Sequence, residues 1–215
     1  MKVLISDKLS QNAVSIFKTK GIHVDYSPEI PREELKNIIA SYDGLAIRSN
    51  TKVDKEIIDL AKNLKIIGRA GIGVDNIDIN YATSKGIIVM NTPHGNSITT
   101  AEHTIAMILS LARQIPHANT STKEGKWEKS KFIGTEIFGK CLGLIGCGNI
   151  GSIVADRAKG LKMQVCVFDP FLTDDMSNQL GVEKVTLEQL FELSDIISLH
   201  TPLTETTRYI INLEN

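Results

Sequence analysis

The run GCGNIG places glycines at positions 146, 148 and 151. An apolar stretch, Leu142-Gly143-Leu144-Ile145, precedes it, and a helix-like run, Ile153 to Leu161, follows. At this spacing each glycine has its own task beside a diphosphate. Gly146 allows the tight turn, Gly148 lets the backbone approach the phosphates, and Gly151 lets a helix pack close to a strand. Free backbone N–H groups and the positive end of the helix dipole then meet the anion. Such a triplet is weak by itself, but here it has a strand before it, a helix after it and a second strand, Val165-Cys166-Val167-Phe168, ending in Asp169. Asp169 stands 18 positions after Gly151, close to the ~20 expected of the acid that binds the adenosine ribose. Its carboxylate accepts from ribose hydroxyls and repels a 2′-phosphate, and Pro170 and Phe171 bring no arginine to neutralise one. The spacing therefore predicts NAD, not NADP.

The elements that must position this loop form an alternating series. Val3–Ile5, Ile22–Tyr26, Gly44–Ile47, Leu64–Ile67 and Gly86–Met90 read as short apolar strands. Helical patterns fall between them around Ala13–Phe17, over Pro31–Ala40 with two early glutamates, and over Val53–Ala61. Short buried strands separated by helices of about ten residues imply βαβ units and a parallel sheet. From Thr99 to Ala112 a long helix is expected, with Thr99 and Glu102 as a capping box. Its apolar residues run all round it, which predicts burial on most faces and a connecting position between domains. A second alternating series starts at Cys141 and ends in a strand-like run, Ile210–Leu213. The boundary falls near 95–100, giving domains of 1–96 and 97–215.

Composition bounds the function. A chain of 215 residues holds one large or two small domains with an ample core. With 42% apolar and 23% charged residues it has a soluble globular profile. The formal net charge of −1 argues against a nucleic acid or an anionic membrane held by bulk charge. Cys141, Cys147 and Cys166 match no zinc spacing, and without a secretory signal they are expected as free thiols. No metal site is expected. The opening MKVLI is too short for a signal peptide, and no segment approaches the ~20 apolar residues of a membrane span. The expected compartment is the cytoplasm.

Four segments, RAGIGVDNID from Arg69, NTPHGN from Asn91, AEHT from Ala101 and GCGNIG from Gly146, together resemble the D-isomer-specific 2-hydroxyacid dehydrogenase family. RQIP from Arg113 and GKWE from Gly125 are similar to its D-3-phosphoglycerate dehydrogenase branch. The resemblance runs along essentially the whole chain in the right order. It implies an α/β fold, with a flavodoxin-like substrate domain followed by a Rossmann NAD-binding domain that is inserted into the first and incomplete at its C-terminal end. It also implies NAD-dependent oxidation of 3-phosphoglycerate to 3-phosphohydroxypyruvate, the entry to serine synthesis, by a homodimer or homotetramer. A glyoxylate or hydroxypyruvate reductase is the runner-up, and a catalytically empty NAD-binding or partner-binding protein is the other alternative.

Residue by residue, the resemblance assigns Arg48 to the substrate, where a guanidinium fork suits a carboxylate or phosphate. By type alone a surface ion pair is the first reading of Arg48. The Gly71-Ile72-Gly73-Val74 loop corresponds to backbone N–H groups that meet the substrate carboxylate, with Ile72 also near the nicotinamide. Asn96 and Thr100 correspond to groups at the hinge before the long helix, near the nicotinamide, Asn149 and Ile150 to backbone around the pyrophosphate, and Thr201 with Pro202 to a cofactor-contacting stretch.

Hydride removal from a secondary alcohol needs a base for the hydroxyl proton and a cation to polarise the forming carbonyl. The family uses a histidine backed by a glutamate, and an arginine; the resemblance places all three beyond Asn215. His23, His94, His103, His117 and His200 are read as structural or surface residues. Last, the run KEGKWEKSK (Lys123 to Lys131) corresponds to the family's subunit contact. Lys129 and Lys131 are its candidates for meeting a substrate phosphate across the dimer, with Trp127 as the anchor.

Overall fold

The computed structural model describes residues 1–213. They form two compact units, Met1–Asn96 and Ser97–Asn215.

The first unit runs β1 (Lys2–Ile5), α1 (Gln11–Thr19), β2 (His23–Tyr26), α2 (Arg32–Ile38), β3 (Gly44–Ile47), α3 (Lys55–Leu60), β4 (Ile66–Arg69), α4 (Ile79–Ser84) and β5 (Ile88–Asn91). The strands pair in parallel in the order β2-β1-β3-β4-β5, the order of flavodoxin-like sheets. Its core is aliphatic: Leu4, Ile39, Leu45, Ile47, Ile57 and Ile67 are fully buried. A parallel sheet covered on both faces needs such continuous apolar strands.

The second unit runs α5 (Ser97–Ala112), α6 (Ile115–Lys123), β6 (Cys141–Ile145), α7 (Asn149–Gly160), β7 (Gln164–Phe168), α8 (Asp174–Leu180), β8 (Glu183–Lys184), α9 (Leu187–Leu193) and β9 (Ile196–Leu199). Its strands are again parallel, in the order β8-β7-β6-β9. One face of the sheet packs Leu142, Leu144 and Val165 against α5 and α7; the other packs Ile145 and Cys166 against Leu190 of α9.

Several boundaries differ from the sequence reading, each for a local reason. β4 and β5 start two residues later than expected, because the ladder pairs Ile66 with Gly44 and with Ile88. β4 thereby runs to Arg69. Val53 is not helical: it pairs in parallel with Ile77, and Asp54 caps α3 by accepting from the Ile57 N–H. The long helix begins at Ser97, so Thr99 lies inside its first turn and does not cap it. The turn over 93–96, with the Gly95 N–H on the Thr92 carbonyl, delivers the chain to helical geometry early. Burial of α5 is one-sided: Ala101 and Ile108 are buried while Ile98, Met107 and Leu111 are exposed. Within its unit α5 meets chiefly α7, and one partner covers one stripe. α7 starts at Asn149, inside the glycine motif. The run Ile210–Leu213 is no strand. The Thr207 hydroxyl, bonded to the Pro202 carbonyl and the Thr204 N–H, folds the chain into turns, and Ile210 packs on the core from there.

Candidate functional site

The second unit carries the glycine loop between β6 and α7, at the C-terminal end of the central strand pair. Gly146 has φ +96°, a left-handed conformation that favours glycine, and a Cβ there would lie 2.6 Å from the His200 carbonyl oxygen. At Gly151 a Cβ would lie 2.4 Å from the Gly146 carbonyl oxygen, so only glycine lets α7 start this close to the turn. Gly148 differs: nothing lies within 4 Å of its would-be Cβ. It is the N-cap of α7, and no side chain caps the helix. A twelve-residue helix thus presents uncapped N–H groups, those of Asn149 and Ile150 among its first, beside a bare backbone.

Asp169 follows β7 directly. Its Oδ2 accepts from the Cys147 N–H at 2.8 Å and its Oδ1 from the Phe171 N–H at 2.8 Å. The carboxylate is therefore tied to the glycine loop itself, with lone pairs to spare on both oxygens. Burial, and after it the Asp169 charge, pushes the Cys147 thiol up to about 11. That thiol stays neutral inside the loop. Thr201 comes to the same place, its methyl 2.8 Å from the would-be Cβ of Gly146, and Pro202 follows it, exposed. The His200 N–H bonds the Ile145 carbonyl at 2.8 Å and its Nε2 lies 3.0 Å from the Ser198 hydroxyl; burial lowers its pKa below 6.5. Gly146 to Gly151, Asp169 and Thr201 thus form one cluster, an open cradle that a diphosphate and a ribose fit. Thr100 lies in the first turns of α5, half-buried, and its carbonyl accepts from the Thr104 hydroxyl.

In the first unit three loops leave the C-terminal ends of β3, β4 and β5. Arg48 follows β3, exposed, and its guanidinium makes no ion pair among the described residues. The surface-pair reading of this residue therefore fails. The Gly71–Val74 loop follows β4 and is held at its start by the Thr92 N–H on the Gly71 carbonyl, 3.0 Å, and the Asn91 Nδ2 on the Ile72 carbonyl, 2.8 Å. Asn96 lies exposed in the turn after β5.

Residues that the sequence reading passed over hold these loops. The Arg69 guanidinium lies against the glycine loop: it donates to the Gly73 carbonyl, and a Cβ on Gly71 would meet its Nη1 at 3.0 Å. Asp7, buried after β1, accepts from the Arg48 N–H at 2.5 Å and from the Thr51 N–H and hydroxyl at 3.3 and 2.8 Å. Asn76 donates to the carbonyls of Arg48 and Thr51. A polar residue at a strand end was the available signal for Asp7 and Arg69; the contacts of Asn76 have no signature in spacing. Next to this region a cleft of about 270 Å³ is lined by Ser6, Asp7, Arg32 and Thr51 among others. Among the described residues no group of three or more metal-ligating side chains gathers, and no helix is long and apolar enough to cross a membrane.

Known proteins match this arrangement. The family model for the D-isomer specific 2-hydroxyacid dehydrogenase catalytic domain matches residues 3–209. A D-3-phosphoglycerate dehydrogenase of Archaeoglobus fulgidus is 49% identical over 207 residues, 96% of this chain and 39% of the relative. One from Bacillus subtilis is 45% identical over 215 residues, 99% of this chain and 40% of the relative. The chain thus spans about two fifths of the length of these curated relatives. Among solved structures, the TT0316 protein from Thermus thermophilus aligns with TM-score 0.90 and 32% identity, covering 100% of this chain and 69% of that one. A NAD+-bound 3-phosphoglycerate dehydrogenase from Entamoeba histolytica aligns with TM-score 0.78 and 36% identity, covering 96% and 64%. With both glycine-bearing loops and Asp169 inside the matched residues, the chain belongs to the D-isomer specific 2-hydroxyacid dehydrogenase family.

Proposed function

We propose that residues 97–215 are the NAD-binding Rossmann domain, and residues 1–96 the substrate domain, of a NAD-dependent dehydrogenase that oxidises 3-phosphoglycerate to 3-phosphohydroxypyruvate. The observation that carries the cofactor is the open backbone at Gly148, beside the carboxylate of Asp169. Gly146, Gly148, Asn149, Ile150 and Gly151 hold the diphosphate, Asp169 the adenosine ribose, and Thr201 with Pro202 the strand-end side of the cofactor. Ile72 and Thr100 are assigned to the nicotinamide end. When bound, the nicotinamide supplies the hydride acceptor.

Arg48 and the N–H groups of Gly71–Val74 bind the hydroxyacid carboxylate, with Asn96 beside them. A charge-assisted contact of this kind contributes about 1.5–3 kcal/mol. We assign the proton acceptor and the polarising cation to residues outside 1–215. His200 is a poor base, since its ring is engaged by Ser198 and disfavours the proton. His23 stands at the start of β2, at the opposite end of the sheet from the loops. The relatives at 45–49% identity, named as phosphoglycerate dehydrogenases, favour the phosphorylated acid over glyoxylate. The net charge of −1 argues against a nucleic-acid or anionic-membrane partner held by bulk charge, and the compartment proposed is the cytoplasm. Exposed Met107, Leu111, Trp127, Ile133 and Phe138 support a homo-oligomer.

Steady-state turnover of the whole protein on 3-phosphoglycerate and on unphosphorylated hydroxyacids, with NAD and with NADP, tests this reading. NAD with 3-phosphoglycerate is expected to give the highest kcat/KM. Replacing Asp169 by Ala is expected to weaken NAD about tenfold or more and to narrow its advantage over NADP. Unchanged cofactor selectivity would sink the ribose assignment.

A further inference from the structure

A parallel ladder fixes β3 against β4 only as far as Ile47 opposite Arg69. The loops that follow, one with Arg48 and one with Gly71–Val74, need something else to hold their tips at a fixed spacing. Asn76 joins them. Its Nδ2 donates to the Arg48 carbonyl and to the Thr51 carbonyl, each at 2.7 Å, so both amide hydrogens are spent on the arginine loop. Its backbone carbonyl accepts from the Val53 N–H at 2.8 Å, and the Ile77 N–H returns to the Val74 carbonyl at 3.0 Å. The parallel bridge of Val53 to Ile77 closes the seam. From the other side Asp7 takes the N–H groups of Arg48 and Thr51. The arginine turn is thus gripped at its N–H groups by a carboxylate and at its carbonyls by an amide.

The side-chain type follows from this geometry. Two carbonyls facing one side chain need a donor with two hydrogens on one atom, which Asn supplies at short reach. A carboxylate would repel both carbonyls, and a hydroxyl would satisfy one. The Oδ1 of Asn76 is buried and has no partner among the described residues. An acceptor is left unsatisfied, at a cost, while the NH₂ end is kept in use.

We infer that Asn76 is a positioning residue that locks the Arg48 loop to the Gly71–Val74 loop, so that the guanidinium and the loop N–H groups meet one carboxylate together. The inference rests on the proposed function, and it adds a coupling between two binding elements that leave different strands. A displacement of about 1 Å between such groups costs on the order of a hundredfold in rate. The Arg48 guanidinium makes no ion pair among the described residues, so its placement depends on the backbone turn from which it leaves and which Asn76 holds.

The test uses the whole active protein and the variants Asn76→Asp, which keeps the shape and removes both donors, and Asn76→Ala. Three quantities are read: KM for the hydroxyacid, Kd for NAD, and Tm. The hydroxyacid KM is expected to rise about 10- to 100-fold in both variants, with Kd for NAD within about twofold of the parent. Ile58→Ala, a core truncation in α3, is expected to lower Tm without moving the KM, which separates positioning from general loss of stability. Arg48→Ala combined with Asn76→Ala is expected to be no worse than Arg48→Ala alone within about threefold, because the two act as a unit. An unmoved KM in the Asn76 variants, or full additivity with Arg48→Ala, overturns the inference and leaves the functional reading standing. Absence of hydroxyacid turnover in the parent protein overturns the functional reading, and this inference with it.

Discussion

Gly148 and Gly151 stand three positions apart and face opposite constraints. A methyl at Gly148 enters open space, and its φ of −72° is not the left-handed conformation that demands glycine. A methyl at Gly151 enters the Gly146 carbonyl oxygen at 2.4 Å. The expected outcomes therefore split. Gly148→Ala is expected to keep Tm within about 1–2 °C and to weaken NAD about tenfold or more, because the methyl would stand in the cradle proposed for the diphosphate. Gly151→Ala costs roughly 2–3 kcal/mol of overpacking, about 5–10 °C of Tm. Thermal melts with and without NAD check both. A Gly148→Ala protein that binds NAD normally would remove the diphosphate from this cradle.

At the scale of elements, the end of β9 supports the turn that Gly146 makes. The His200 N–H bonds the last residue of β6, and its ring is half-buried beside Ser198. Burial lowers the folded-state pKa below 6.5. Below pH 6.5 the unfolded chain then binds more proton than the folded one, so stability falls as pH falls through that window. The slope from this one group is at most about 1.4 kcal/mol per pH unit. Replacing His200 by Asn is expected to flatten the loss of Tm as pH falls below about 6.5; an unchanged slope would mean that other groups set it. On the neighbouring strand, the Asp169 carboxylate ties the end of β7 to the glycine loop through the Cys147 N–H and accepts from the Phe171 N–H as well.

At the scale of the molecule, the loop after α6 presents Trp127 at 85% exposure with lysines on both sides. The structure separates the two lysine candidates. Lys131 pairs with Glu128 at 2.5 Å, and the other Glu128 oxygen accepts from Ser121, whereas Lys129 has no ion pair among the described residues. An exposed pair of that kind contributes little to stability, but it commits the Lys131 charge. Lys129 is thus the better reach for a phosphate in the proposed oligomer. Lys129→Ala is expected to raise KM for phosphorylated acids about fivefold at low salt and leave unphosphorylated ones unchanged, from an interaction of about 1 kcal/mol. Equal effects on both substrates would return the loop to plain surface. Trp127→Ala is the companion change, read by the sedimentation of the oligomer.

The glycine motif, Asp169 and the alternating strands were legible in the sequence because each rests on local chemistry: a turn that needs glycine, a strand that needs apolar side chains, a carboxylate at a strand end. The break in the alternating pattern near 95–100 is legible for the same reason, and the structure divides into compact units at Asn96 and Ser97. What the sequence left open were matters of pairing between distant residues. The start of β4 depends on Gly44, the shift of Val53 out of its helix depends on Ile77, and the failure of Ile210–Leu213 to form a strand depends on a threonine turn. The grip of Asp7 and Asn76 on the Arg48 turn spans 41 and 28 positions of chain respectively. By itself the sequence determined which candidate chemistry the chain carries. Only the tertiary structure decided which loops that chemistry shares, because hydrogen bonds between strand ends are made by backbone groups that every residue has and no motif marks.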